Sequence, residues 1–150
     1  VAEMTVRSAA FSDHGTIPAE YSHQAGDVSP PLEWSDVPDE TAELVLSCED
    51  PDAPAGSFVH WLVAAIPPDA EGVAAGEDPP ESVAGRNDYG RLGYGGPHPP
   101  AGDEPHRYYF RLYGLSEPTG LTSGFTAEDL RVALQERVVA TGTLVGAYGR

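Results

Sequence analysis

Arg107-Tyr108-Tyr109-Phe110-Arg111-Leu112-Tyr113-Gly114-Leu115 decides how this chain folds. Tyr108, Phe110 and Leu112 fall on one side of an extended backbone, and Arg107, Tyr109, Arg111 and Tyr113 on the other. That period of two predicts a strand with one face on a core. Leu44 to Glu49 alternates in the same way, with Leu44, Leu46 and Cys48 together, and ends at the turn signal Asp50-Pro51-Asp52. Phe58 to Ile66 is apolar on both faces, which predicts a central strand buried on both sides and stopped by Pro67-Pro68. With 15 Pro and 17 Gly along the chain, many short strands are expected rather than a helix bundle. One helix is predicted, Thr126 to Ala140. Thr126-Ala127-Glu128-Asp129 resembles a capping box, Leu130, Leu134 and Val138 recur at four-residue spacing, and Thr141-Gly142 supplies a stop before a last strand, Leu144 to Tyr148.

At 150 residues the expectation is a single domain, 1–150, with one hydrophobic core. Acidic residues number 24 against 8 basic ones, all Arg, for a net charge of −16. Without lysine the chain offers no Schiff-base amine, no pyridoxal phosphate attachment and no Walker A lysine. Nucleic acid is excluded as a partner on charge, since a phosphate backbone is met by clustered cations. The acids run from Glu3 to Glu136 without a block of like charge, so they read as a whole-surface property: an acidic, halophilic surface whose self-repulsion is screened when molar salt cuts the Debye length to roughly 3 Å. Cys48 is the lone cysteine, which allows no internal disulfide and suits a reducing cytoplasm. Residues 1–7 lack the pattern of a leader, and no run of apolar residues is long enough to span a bilayer, so no membrane insertion is expected.

Two long irregular stretches are predicted, Pro67 to Gly85 and Arg86 to Pro105, the second dense in Gly, Pro, Tyr and His. Loops of that length in a compact domain tend to carry function. Three segments hold the reactive side chains. Asp50-Pro51-Asp52-Ala53-Pro54 projects two carboxylates from a strand end, although Asp-Pro sequences are most often solvated turns. His60 shares a face with Phe58 and Leu62, where a core histidine with one satisfied hydrogen bond is the ordinary reading. His106 and Tyr108 lie on the apolar face of their strand and need polar partners there. One shared pocket of imidazoles, carboxylates and a phenol would satisfy all of them and would suit a small anion such as phosphate.

These residues also carry a resemblance. Asp50-Pro-Asp-Ala-Pro54, His60-Trp61, Gly85-Arg-Asn-Asp-Tyr-Gly90, Gly93-Tyr-Gly-Gly-Pro-His-Pro-Pro100 and His106-Arg-Tyr108 resemble the phosphatidylethanolamine-binding protein family, in its bacterial and archaeal Raf kinase inhibitor-like branch. Ser29-Pro-Pro-Leu-Glu-Trp34 and Leu144-Val-Gly-Ala-Tyr-Gly-Arg150 extend the likeness toward both ends. The resemblance implies a mainly β fold, an antiparallel sandwich of two sheets with one or two short helices. It implies ligand-binding roles for Asp50, Asp52, His60, His106 and Tyr108, with Pro54 and Pro99 as pocket wall. It further implies a non-enzymatic protein without cofactor or metal, which binds phosphate or a phosphorylated headgroup, forms a homodimer and regulates a kinase or protease partner. Phe58-Val59 and His98 depart from the usual pattern, and His98 reads as a surface loop residue with a lesser prospect of serving as a cationic donor. The alternative is a metal-dependent phosphoester hydrolase built on the same Asp/His cluster; no hydrolase or nucleotide signature accompanies it.

Overall fold

A computed structural model describes all 150 residues. The strands are β1 (Ala2–Glu3), β2 (Thr5–Arg7), β3 (Leu32–Ser35), β4 (Glu43–Asp50), β5 (Phe58–Ile66), β6 (Gly72–Val73), β7 (Val83–Ala84), β8 (His106–Leu115) and β9 (Val138–Tyr148), with helix α1 at Ala127–Leu134 and a 3-10 turn at Ala19–Tyr21. Six strands form one sheet in the order β1-β9-β8-β4-β5-β7, and three form a second, β2-β3-β6. The expectation of purely antiparallel sheets is corrected at one edge, where Ala2 and Glu3 run parallel to Ala140 and Thr141. The chain reaches the smaller sheet by continuing along that edge, with Met4 N–H bonded to Thr141 O before β2 begins.

Alternation in β8 places Tyr108, Phe110 and Leu112 in the main core beside Leu44, Leu46 and Cys48 of β4, Trp61 and Val63 of β5, and Leu32 and Trp34 of the smaller sheet. A second cluster covers the opposite face of β4 and β5, where Val45, Leu62 and Ala64 meet Phe125 and Leu130 at α1. This two-sided burial is why β5 is apolar throughout. No helix is long and apolar enough to cross a membrane.

The predicted helix begins where expected and ends early. Thr126 Oγ1 accepts from Asp129 N–H at 3.1 Å and the Asp129 carboxylate accepts from Thr126 N–H at 3.0 Å, a complete capping box. Gln135 then turns extended and Glu136 takes φ 63°, so Val138 leaves the helix pattern and pairs with Leu115. The β-branched residues Val138, Val139, Thr141 and Thr143 favour a pleated surface, and the ladder to β8 runs through the expected stop, with Gly142 opposite Leu112.

A buried acid pins the far end of β5. The β4–β5 register slips between Leu44 and Leu46, and Ala65 sits there at φ 58° with its N–H bonded to Glu43 Oε2 at 2.9 Å. The same carboxylate accepts from Thr119 N–H at 3.0 Å and Thr119 Oγ1 at 2.9 Å, tying the segment after β8 to the bulge.

Candidate functional site

Beside the ends of β4, β5 and β8, where Asp50 pairs with Phe58 and His106 with Tyr148, lies a cavity of about 260 Å³. Asp50, Phe58, His60, His106 and Tyr108 line it from the sheet, Ala53 and Pro54 from the β4–β5 turn, and Tyr89, His98, Pro99 and Pro100 from the long loop. The expected Asp50, Pro54, His60, Pro99, His106 and Tyr108 are therefore brought together.

A bulge aims His60. Cys48 pairs with Trp61 but Glu49 pairs with Val59, so His60 is the extra residue of β5. Bulges re-aim side chains in this way. Val59 N–H bonds to Asp88 Oδ2 at 2.7 Å, and Asp88 N–H returns to Val59 O at 2.9 Å. The bulge breaks the face shared in strict alternation: His60 remains beside Phe58, ring centroids 4.7 Å apart, whereas Leu62 joins the second core. His60 Nδ1 lies 2.7 Å from Gly95 O, and because a carbonyl only accepts, that nitrogen carries the proton. The ring is 3% exposed, and burial lowers its pKa below 6.5 against the opposing pull of the Gly95 carbonyl and of Asp50 and Asp88. Its free Nε2 is an acceptor in the neutral ring and becomes a donor on protonation.

His106 is clamped at both nitrogens. Nδ1 lies 2.7 Å from Asp50 Oδ2 and Nε2 lies 3.2 Å from Asp103 Oδ2. Burial pulls the imidazole down, but the hydrogen bonds and charges of Asp50 and Asp103 outweigh it, and the pKa stands above 6.5. Asp50 is itself 3% exposed, and its other oxygen accepts from Asp52 N–H at 2.8 Å. Tyr108 stands 5.2 Å from the His60 ring, nearly perpendicular to it. Its hydroxyl is buried and makes no hydrogen bond of good geometry within the protein, although the Asp50 carboxylate stands close by. Burial, then the charge of Asp50, raises its pKa far above 10, so the phenol stays protonated.

Asp52, expected in the same ligand set, does not line the cavity. Its carboxylate faces the other way and accepts from Arg107 Nη2 at 2.8 Å, Nε at 3.0 Å and the Arg107 N–H at 2.9 Å. Those bonds hold it at a pKa of about 2. It fixes the turn to the start of β8 and so supports Asp50, its neighbour two residues earlier.

Residues 85–96 build a wall that spacing alone did not assign. Asn87 accepts from Tyr89 and Arg91 N–H and donates to Gly93 O, which shapes the turn. Tyr89 packs edge-on against Phe58 at 4.9 Å and donates to Gly96 O at 2.7 Å. Gly95 and Gly96 permit the close fit: a Cβ on Gly95 would collide with the Tyr89 ring, and one on Gly96 would lie 2.5 Å from Tyr21 O. His98 is solvent-exposed and also lines the cavity. A tyrosine inside Gly85-Arg-Asn-Asp-Tyr-Gly90 was the available signal for Tyr89; Asp103 gave none.

The phosphatidylethanolamine-binding protein family model matches residues 7–149. The chain belongs to that family. Within the phosphatidylethanolamine-binding proteins it is 43% identical to a UPF0098 protein of Methanothermobacter thermautotrophicus, over 98% of this chain and 99% of the relative. Its fold is similar to a phosphatidylethanolamine-binding protein homolog, CT736, from Chlamydia trachomatis, with a TM-score of 0.92 and 39% identity over 100% of this chain and 99% of that one. E. coli YbcL also gives 0.92, at 29% identity, over 99% of each chain.

No group of three His, Cys, Asp or Glu side chains is placed to hold a metal ion. Both nitrogens of His106 are committed to carboxylates and Nδ1 of His60 to a carbonyl.

Proposed function

We propose that the cavity binds a small anionic group, inorganic phosphate or a phosphorylated headgroup, and that the protein acts by binding rather than by catalysis. The observation that carries this reading is the Tyr108 hydroxyl, buried on the cavity wall without a partner. Buried hydroxyls are nearly always hydrogen-bonded, and one without a good partner on a residue that lines a cavity is suited to a ligand oxygen. His60 adds a second polar point. At neutral pH its Nε2 accepts from a protonated phosphate oxygen; at lower pH the imidazolium donates and adds charge. His106, clamped between Asp50 and Asp103, holds the cavity wall in place, and its protonation offsets part of the negative charge of those two carboxylates beside the anion. Pro54, Pro99, Phe58 and Tyr89 exclude water and strengthen these interactions.

The net charge of −16 opposes an anion at low ionic strength. Salt that screens the surface leaves contacts inside the cavity largely intact, so affinity should rise with salt until the added anion competes. This matches the proposed high-salt role of the acidic surface. The test is calorimetric titration of phosphate into wild type and His106→Ala in about 2 M KCl, where screening acts within a few ångströms. Binding in wild type and loss of it in the variant is expected; equal binding in both would remove the cavity from the account.

A further inference from the structure

We propose that the mouth of this cavity is a second anion subsite formed by His98, His23 and Arg150, and that the ligand is a small molecule carrying two acidic groups. The inference rests on the reading of the cavity as a phosphate site and specifies what lies beyond the phosphate.

Basic side chains are scarce in this chain, 8 Arg and 5 His against 24 acids. Three of them come together from three separate segments, with His98 on the cavity wall and His23 and Arg150 just outside it. His23 follows the 3-10 turn, and its ring stacks on Tyr89 at 4.5 Å with the planes 7° apart. His98 lines the mouth and meets His23 edge-on at 5.2 Å. Arg150 follows β9; its Nε donates to Pro99 O at 2.7 Å, which holds the guanidinium next to His98, and its carbonyl accepts from Gly102 N–H at 3.1 Å. The rings step outward from the Tyr108 wall, His60 to Tyr89 at 5.8 Å and Tyr89 to His23 at 4.5 Å, so the rim begins one ring beyond the inner site.

One acid stands among them. Asp27 Oδ1 accepts from Gly96 N–H at 2.8 Å and lies 2.8 Å from His23 Nδ1, which fixes the orientation of His23, and its charge also reaches His98. Burial, then the charges of Arg150 and His23, pushes His98 below 6.5. An acidic group at the mouth would relieve that mutual repulsion and favour the protonated imidazole. Because the basic cluster lies one ring beyond the inner site, the recognised molecule extends from a phosphate inside to a carboxylate or second phosphate at the rim.

O-Phosphoserine and phosphoethanolamine differ by one carboxylate and isolate the rim contribution. With inorganic phosphate as a third titrant at the same pH and salt, wild type should bind phosphoserine about tenfold more tightly than phosphoethanolamine, the gain of one charge-assisted contact. In His98→Ala and in Arg150→Gln that ratio should fall toward one. A wild-type ratio near one, or a ratio that both substitutions leave unchanged, overturns the subsite while phosphate binding still upholds the inner cavity. Failure of all three titrants to bind overturns the subsite together with the reading of the cavity.

Discussion

Replacing Tyr108 by Phe removes one oxygen atom and should move stability and binding in opposite directions. Tyr108 is 1% exposed and its hydroxyl has no hydrogen-bond partner within the protein. A buried polar group left unsatisfied costs about 1–3 kcal/mol. Deleting it should therefore leave the folded state unchanged or more stable by up to about 1 kcal/mol. A hydrogen bond to a charged ligand contributes about 1.5–3 kcal/mol, so phosphate affinity should drop about ten- to a hundredfold. Urea unfolding followed by the fluorescence of Trp34 and Trp61, both buried, reads the first quantity. Calorimetric titration of phosphate reads the second. A Tyr108→Phe variant destabilised by more than about 1 kcal/mol, with phosphate affinity within twofold of wild type, would refute the reasoning and make the hydroxyl a structural group.

Glu43→Ala should destabilise the fold by about 3 kcal/mol, because the Ala65 and Thr119 N–H groups lose their acceptor, while the phosphate site at the other end of β5 keeps its affinity; urea unfolding and titration separate the two. His60 and His106 should shape stability from opposite sides of pH 6.5. The pKa of His106 is raised by folding, so its stabilisation is fully present below 6.5 and is lost as pH rises through the folded value; that of His60 is lowered, so stability falls as pH drops below 6.5 toward its folded value. In unfolding curves from pH 5.5 to 8, His106→Ala should flatten the alkaline side alone, and a variant with an unchanged alkaline slope would contradict the two-carboxylate clamp. Asp103→Ala should shift the His106 midpoint downward by NMR titration, since one of the two raising carboxylates is gone. Sulfate does not titrate in this range, so its affinity should rise as pH falls below 6.5 and His60 gains a proton; a flat profile would exclude His60 as a donor.

The strands were legible where one rule dominates. Phe58–Ile66 is bounded by a turn and by Pro67-Pro68, and the observed β5 has those limits. Tyr108, Phe110 and Leu112 could only face a core. The helix overran because Val138 satisfies a four-residue spacing and a pleated sheet equally well, and pairing with Leu115 decided between them. Local pattern does not report a bulge: the face of His60 depends on Asp88, 28 positions away, capturing the Val59 N–H. Asp52 carried the same signal as Asp50, and only the neighbouring Arg107 guanidinium separates a structural carboxylate from one that lines the cavity. Glu43 read as one acid among many on a charged surface, yet it is 5% exposed and fully hydrogen-bonded. The long loop from Arg86 to Pro105 stood out by its composition, and it supplies Tyr89, His98, Pro99 and Pro100 to the cavity wall.

The central claim is that a tetrahedral anion occupies the cavity beside Tyr108. A crystal structure grown with selenate, which scatters anomalously and mimics phosphate in shape and charge, locates the anion directly. The account predicts an anomalous peak within hydrogen-bond reach of Tyr108 Oη and His60 Nε2. Peaks confined to surface arginines, with none in the cavity, would contradict it.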